Sequence, residues 1–284
     1  MSLDRRNILA GAMTLLAPVT VGAGPRVTPL RLIGNRIYLT ATINGIATEA
    51  LLDSGAEMTV LDTGFAARLR LGDGTAVTAR GTGTATTQAA LIAGAEMHVA
   101  GLTLRPETVA VIDLGDISAR LAHRRIDAIV GRDLFDASRL AIDLSGGTLV
   151  PIGRRREPAG DRLTLTGRRG IETVPIRVEG FAAQAEFDLG NGGRMLIGKA
   201  FAAARGLPGR RPTTRIGGGG IGGETLQTAF VLRHVDIAGQ RILDVPVAID
   251  ASDTAADANI GVALLRRFRI VTDFAERAVW LQAR

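Results

Sequence analysis

The sequence contains no cysteine, so it can form no disulfide and no thiolate zinc site, and it has no cysteine nucleophile. Its three histidines, His98, His123 and His234, lack the spacing of metal ligands, and no Gly-x-Ser-x-Gly turn is present. We therefore expect neither a metal site nor serine-hydrolase chemistry.

Lysine and aromatic residues are also scarce. Lys199 is the only lysine among 34 basic residues, and aromatic residues make up 4% of the chain. The formal net charge of +6 comes from arginines spread along the sequence, and few rings are available to stack on bases. The pattern indicates a basic surface and no nucleic acid partner.

The chain is instead rich in small and aliphatic residues. Its 284 residues are 46% hydrophobic and include 36 glycines, which suits packed cores built from many short strands. This length accommodates one large domain or two of ordinary size. We expect a globular, all-β protein.

The first residues predict an export signal at residues 1–23. Arg5 and Arg6 precede an uncharged stretch, and Val21-Gly22-Ala23 is a small-residue cleavage pattern. This resembles a twin-arginine signal, with a Sec signal or an uncleaved anchor as alternatives. The expected location is periplasmic or secreted. No later segment is apolar and long enough to cross a membrane, so we expect no integral membrane segment after signal removal.

The rest of the sequence repeats itself. Residues 37–55 align with residues 172–190, which places Asp53 opposite Asp188. Later, residues 127–135 align with residues 257–265 in the same order. This predicts an N-terminal lobe over 30–152, a linker over 153–162 and a C-terminal lobe over 163–284. Short helices are expected near 132–138 and 263–268.

Each aspartate of the repeat lies at a tight turn. Asp53 follows the apolar Ala50-Leu51-Leu52 and precedes Ser54-Gly55. Such a triplet often only makes a turn, which is the simplest interpretation of one copy. A second aspartate in register favours a pair that holds one proton between two carboxyl groups and can polarise water.

The segments Leu51 to Val60 and Ile129 to Phe135 resemble the retropepsin-like aspartic peptidase family in its two-lobed, single-chain, bacterial form. The resemblance implies two homologous β-barrel lobes with an active cleft between them. It implies that Asp53 and Asp188 are catalytic, one accepting a proton from water and the other donating to the substrate carbonyl. The residues that would support the active-site loops are Ser54, Gly55, Gly190, Gly131 and Gly261. The second motif has Leu189 where the family has Thr or Ser.

Two glycine-rich segments follow the aspartates and are interpreted as flaps that bind substrate. Their candidate residues are Gly81, Gly83, Gly218 and Gly220. Disordered loops are the alternative. Gly217, Gly219 and Gly222 also have dinucleotide-loop spacing, but residues 224–237 alternate as a strand and open no helix. We therefore expect no cofactor.

The predicted function is an aspartic endopeptidase, a hydrolase that acts on an extended peptide or protein. The alternatives are a catalytically weak or inactive peptide-binding or regulatory protein on the same scaffold, or a half-site within a homodimer. Because the chain supplies both aspartates, a monomer is expected.

Overall fold

A computed structural model of the chain describes residues 26–284 except 82, 84 and 169. The predicted export signal at 1–23 lies outside the described residues. Within the described part, no helix is long and apolar enough to cross a membrane.

The first half of the chain consists of short strands with brief helices between them. The strands are β1 (Thr28–Pro29), β2 (Arg31–Ile33), β3 (Arg36–Ile43), β4 (Ile46–Leu52), β5 (Val60–Asp62), β6 (Thr75–Arg80), β7 (Thr86–Ile92), β8 (Met97–Val99), β9 (Leu102–Leu104), β10 (Val109–Ile112), β11 (Ala128–Val130), β12 (Arg139–Asp143) and β13 (Thr148–Ile152). The helices are α1 (Thr63–Arg68), α2 (Gly115–Ile117), a π-helical turn (Ser118–Ala122) and α3 (Arg132–Ala137).

The second half has the same character. Its strands are β14 (Asp161–Thr164), β15 (Thr166–Arg168), β16 (Ile171–Val178), β17 (Phe181–Phe187), β18 (Met195–Gly198), β19 (Thr214–Gly220), β20 (Gly223–Ile237), β21 (Gln240–Asp250), β22 (Ala258–Ile260), β23 (Phe268–Asp273) and β24 (Ala278–Ala283). Its helices are α4 (Lys199–Ala204) and α5 (Val262–Leu265). The fold is all-β, as the composition predicted.

Two of the three sheets follow one plan. The sheet of the first half has the order β6-β7-β10-β5-β11-β4-β3-β8-β9, with β2 beside β3, and that of the second half has the order β15-β16-β17-β22-β18-β21-β20-β19. In the first, β11 runs parallel to β4 and antiparallel to β5. In the second, β22 runs parallel to β17 and antiparallel to β18. Each half therefore has one short strand that runs beside, and parallel to, the strand that leads to its aspartate.

The third sheet joins the halves. Its order is β1-β13-β12-β23-β24-β14, and its central pair, β12 and β23, comes from different halves, with Ile142 opposite Ile270. Arg139 on β12 donates to Asp273 on β23 at 2.9 Å, and both side chains are buried. Arg154 also donates to Asp273, at 2.7 and 2.8 Å. A buried carboxylate needs such partners, so this triad ties the two halves together. The exact lobe and linker boundaries stay a prediction.

The predicted short helices occur as α3 and α5. The second is shorter than expected, because β23 already begins at Phe268. The reason is local, since α5 is a single turn whose apolar residues enter the core. Helices α1 and α4, which follow β5 and β18, had no counterpart in the sequence interpretation.

Candidate active site

The two aspartates occupy equivalent positions at the ends of β4 and β17. The Asp53 amide donates to the carbonyl oxygen of Val130 at 3.0 Å, and the Asp188 amide donates to that of Ile260 at 3.0 Å. Both acceptors lie at the ends of the parallel neighbours, β11 and β22. Each lobe therefore holds its aspartate by the same backbone contact.

The two carboxyl groups meet across the lobe boundary, because a Cβ atom added at Gly55 would lie within 2.9 Å of Oδ1 of Asp188 and 3.2 Å of Oδ1 of Asp53. Glycine makes this approach possible. A Cβ atom added at Gly55 would lie 2.9 Å from Oδ1 of Asp188, and one at Gly190 would overlap the carboxyl group of Asp53. Each glycine therefore faces the carboxyl group of the other lobe, where a side chain would separate the pair.

The pair has an uneven charge distribution. Burial, followed by the charge of Asp188, raises the pKa of Asp53 to about 8. Amide hydrogen bonds from Gly55 and Ala56 oppose the shift, and the hydrogen bond with Asp188 adds to it. Asp53 is therefore the protonated member near neutral pH, as expected where two close carboxyl groups cannot both ionise easily.

Asp188 accepts several hydrogen bonds. Its Oδ1 accepts from the amides of Gly190 at 2.9 Å and Asn191 at 3.0 Å, and its Oδ2 accepts from Nδ2 of Asn259 at 2.8 Å. Nδ2 of Asn259 also donates to Oε2 of Glu186 at 3.0 Å. Oδ1 of Asn259 accepts from Nδ2 of Asn191 at 2.7 Å. Three donors therefore hold the two oxygens of Asp188, and one of them is the side chain of Asn259.

Ser54 links the two loops from one side only. Its hydroxyl donates to the carbonyl oxygen of Phe187 at 2.7 Å and accepts from the amide of Leu189 at 2.9 Å. Leu189, the equivalent residue, is fully buried and has no hydroxyl to return the contact. The sequence difference therefore removes half of an otherwise reciprocal brace.

Gly131 and Gly261 pack behind the loops. A Cβ atom at Gly131 would overlap the carbonyl oxygen of Met58, and one at Gly261 would overlap that of Asn191. The first amide of each following helix also binds a loop, Arg132 to Ala56 at 3.0 Å and Val262 to Asn191 at 2.9 Å. Both glycines thus allow the close packing on which the loop positions depend.

Two hairpins, one from each half, meet at their tips: β6 with β7 and β19 with β20. The Gly83 amide donates to the carbonyl oxygen of Ile221 at 2.9 Å, and the Ala85 amide donates to that of Gly222 at 2.9 Å. A Cβ atom at Gly81 would lie 2.6 Å from the same Ile221 oxygen. The hairpin tips therefore touch.

The candidate flap residues of the second half lie in the strand that leads to the tip and do not themselves make that contact. Gly218 and Gly220 belong to β19, and their carbonyl oxygens accept from Arg120 at 3.4 and 3.0 Å. The tip itself is Ile221-Gly222. In the described part of the chain, no group of three or more acidic or histidine side chains is placed to hold a metal ion.

Sequence reasoning did not single out Asn259, Asn191 or Arg120. A signal existed for the first two, because the repeat alignment sets Asn259 against Ile129 and Asn191 against Ala56. A polar residue in one copy of a repeat and an apolar residue in the other indicates different local chemistry.

The comparison with protein families finds that residues 39–134 match the family model described as aspartyl protease. The match includes Asp53 and Gly131 and ends in α3, before the second half of the chain. The comparison with curated proteins finds no match.

Proposed function

We propose that the whole chain is an aspartic endopeptidase, and the match of residues 39–134 to the aspartyl protease family model supports this proposal. It hydrolyses peptide bonds with a water molecule activated between Asp53 and Asp188. The observation that carries the proposal is the close approach of these two carboxyl groups, one from each half, on either side of Gly55.

The chemistry follows from the uneven charge of the pair. Asp188 accepts a proton from water, and the water oxygen attacks the carbonyl carbon of the peptide bond. Asp53 donates its proton to the carbonyl oxygen, which gives a neutral tetrahedral intermediate. Asp188 then donates its proton to the peptide nitrogen, and Asp53 takes a proton from one hydroxyl of the intermediate. The carbon–nitrogen bond breaks to give an acid and an amine, and the pair again holds one proton, on Asp53.

The touching hairpins support an extended polypeptide as substrate. By analogy with flaps, we propose that these tips cover the pair, separate to admit a chain and then close on it. Separation would free the Gly83 amide, which now donates to Ile221, to pair with an extended chain, with Gly81 beside it and Gly218 and Gly220 next to the opposite tip.

The direct test is cleavage of an unfolded polypeptide by the purified chain without residues 1–23. We expect fragments from the wild type and none from Asp53→Asn. Asp73→Asn is the matched control, because Asp73 is an exposed aspartate outside the site. Equal cleavage by the wild type and Asp53→Asn would contradict the proposal.

A peptide-binding protein without turnover is the second candidate, favoured by the one-sided Ser54 brace. It predicts saturable binding of peptides, no fragments, and no competition from a statine-type mimic of the tetrahedral intermediate. Such a result would retain the cleft as a binding site and remove the catalytic roles.

We also propose that the chain is exported through residues 1–23 and acts as a monomer. Replacing Arg5 and Arg6 by lysine should retain the protein inside the cell if the twin-arginine route is used, as cell fractionation would show. Sedimentation should give a single-chain mass. An obligate dimer would contradict the second expectation.

A further inference from the structure

Arg36 is a partly buried guanidinium without an acidic partner among the residues that the structure describes. It begins β3, and its one hydrogen bond there is a long contact of 3.4 Å to the carbonyl oxygen of Gly34. Burial lowers the pKa of Arg36 below its usual range, Tyr38 opposes that shift, and the charge of Arg120 adds to it. A charge that has lost water without gaining a counter-ion is costly, so this position calls for a partner.

Arg36 lies beside the loop that carries Asp188. A Cβ atom added at Gly192 would lie 3.0 Å from Cγ of Arg36, so the arginine side chain passes directly over that glycine. Gly192 is the fourth residue after Asp188, and the fourth residue after Asp53 is Glu57. The second half thus has no side chain where the first half has a carboxylate, at the point that faces Arg36.

A cavity of about 600 Å³ opens next to this guanidinium. Its wall is formed by Ile33, Gly34, Arg36, Leu121, Ala122, His123 and Arg124. Arg124 is already paired with Glu49, and Arg120 is already paired with Asp116 at 2.7 Å. The cavity therefore combines apolar walls with one arginine that remains available.

A buried hydroxyl near the same arginines also lacks a partner. Tyr38 is 1% exposed, and its hydroxyl has no hydrogen bond in the structure. Arg36 and Arg124, which both line the cavity, each interact electrostatically with it. Buried polar groups are normally satisfied, so an unpaired donor beside an unpaired cation is a second sign of an absent acceptor.

We propose that this cavity is a substrate subsite for an acidic side chain, and that Arg36 is the residue that selects it. The proposal rests on the proposed endopeptidase function and names its substrate class, a polypeptide with aspartate or glutamate at one set position from the cleaved bond. A guanidinium binds a carboxylate through two parallel N–H donors, and partial exclusion of water strengthens the pair.

The first experiment measures cleavage of capped peptides that differ only by glutamate or glutamine at one position. Capping both ends makes the side chain the only source of the carboxylate, and moving the glutamate along the peptide locates the subsite. We expect kcat/KM to be about tenfold higher for the glutamate peptide at one position, because a charged hydrogen bond is lost in the other peptide. Arg36→Gln should reduce that ratio to about one.

Two variants control this experiment. Arg36→Lys keeps the positive charge but loses the two parallel N–H donors of the guanidinium, and it should retain part of the preference. Arg233→Gln removes one exposed arginine and should leave the ratio as in the wild type. A ratio that is unchanged in a folded Arg36→Gln variant would overturn the proposal, and circular dichroism checks folding.

The second experiment measures binding without turnover, so its failure is distinguishable from failure of the endopeptidase proposal. The Asp53→Asn variant is titrated with the same glutamate and glutamine peptides, each carrying a fluorescent label. We expect about tenfold tighter binding of the glutamate peptide, and loss of that difference when Arg36→Gln is added. A binding difference would support the subsite even if the wild type cleaved nothing. Equal binding of both peptides at every glutamate position would overturn it.

Discussion

The two aspartate loops, residues 53–56 and 188–191, make equivalent backbone hydrogen bonds but have different side chains around them. Next to Asp53 the repeat places Leu51, Ala56 and Ile129, and all three belong to or pack on one apolar cluster. The equivalent positions next to Asp188 hold Glu186, Asn191 and Asn259, which form a hydrogen-bonded group. The two loops make the same backbone contacts, while Asp53 has apolar neighbours and Asp188 has polar ones.

The proposed mechanism gives these like residues unlike tasks. An apolar neighbourhood disfavours the charge on Asp53, whereas Asp188 has a side-chain donor, Asn259, in addition to its backbone donors. A pair with identical surroundings would have to be distinguished by substrate or by a passing proton. Here the protein itself distinguishes them before substrate binds.

The largest effect should come from removing either carboxyl group. Asp53→Asn and Asp188→Asn should each lower kcat by about 10³-fold or more, because one proton shared by both does the chemistry. The double variant should be no slower than the worse single variant, since residues that act as a unit are not additive. Steady-state kinetics on a capped peptide measures this. An Asp188→Asn variant with near wild-type kcat would leave the second loop without a catalytic role.

Ser54→Ala should destabilise the chain by about 2 kcal/mol, because the buried amide of Leu189 and carbonyl of Phe187 lose their shared partner. Urea unfolding measures the loss. Ser145→Ala is the matched control, since that hydroxyl makes an exposed contact at 3.3 Å. Equal stability of both variants would mean that Ser54 does not brace the loops.

Exchanging the side chains behind the loops should reduce their difference. Asn259→Ile removes the donor to Oδ2 of Asp188, and we expect kcat to fall about tenfold. Ile129→Asn is the reciprocal variant and gives the Asp53 side an amide. Urea unfolding measured beside kcat separates catalysis from packing, because a purely structural role would lower stability and leave kcat of the folded variant unchanged. An unchanged kcat in folded Asn259→Ile would indicate a structural role only.

Another expected effect concerns stability as a function of pH. The pKa of Asp53 rises from 3.8 to about 8 on folding, so the folded chain binds this proton more tightly than the unfolded chain. The contribution to the free energy of unfolding is fully present below about pH 4 and is lost as pH rises towards about 8. Activity should fall above the same pH. Asp53→Asn should flatten this part of the stability profile, and a profile identical to wild type would contradict the assignment.

Much of the site could be predicted from sequence because its signals are local or repeated. The Asp53-Ser54-Gly55 turn follows an apolar strand, and the repeat then identifies Asp188 even though Leu189 departs from the motif. Helices α1 and α4 were not predicted, because neither six-residue segment was marked by a motif, whereas α3 and α5 follow the glycines of the repeated segments. Contacts between distant segments, such as the meeting of Gly83 with Ile221, leave no periodic signal.

By itself, the sequence determined the all-β class, the similar segments in its two halves and the two aspartates at matching turns. Alternating apolar and polar residues and similar segments can both be recognised without a structure. Only the tertiary structure decided which side chains surround each carboxyl group. Asn259 reaches Asp188 across 71 positions because β22 lies parallel to β17, and Arg36 faces Gly192 because the lobes pack together. The two aspartates therefore differ in their surroundings because of contacts between residues that are distant in sequence.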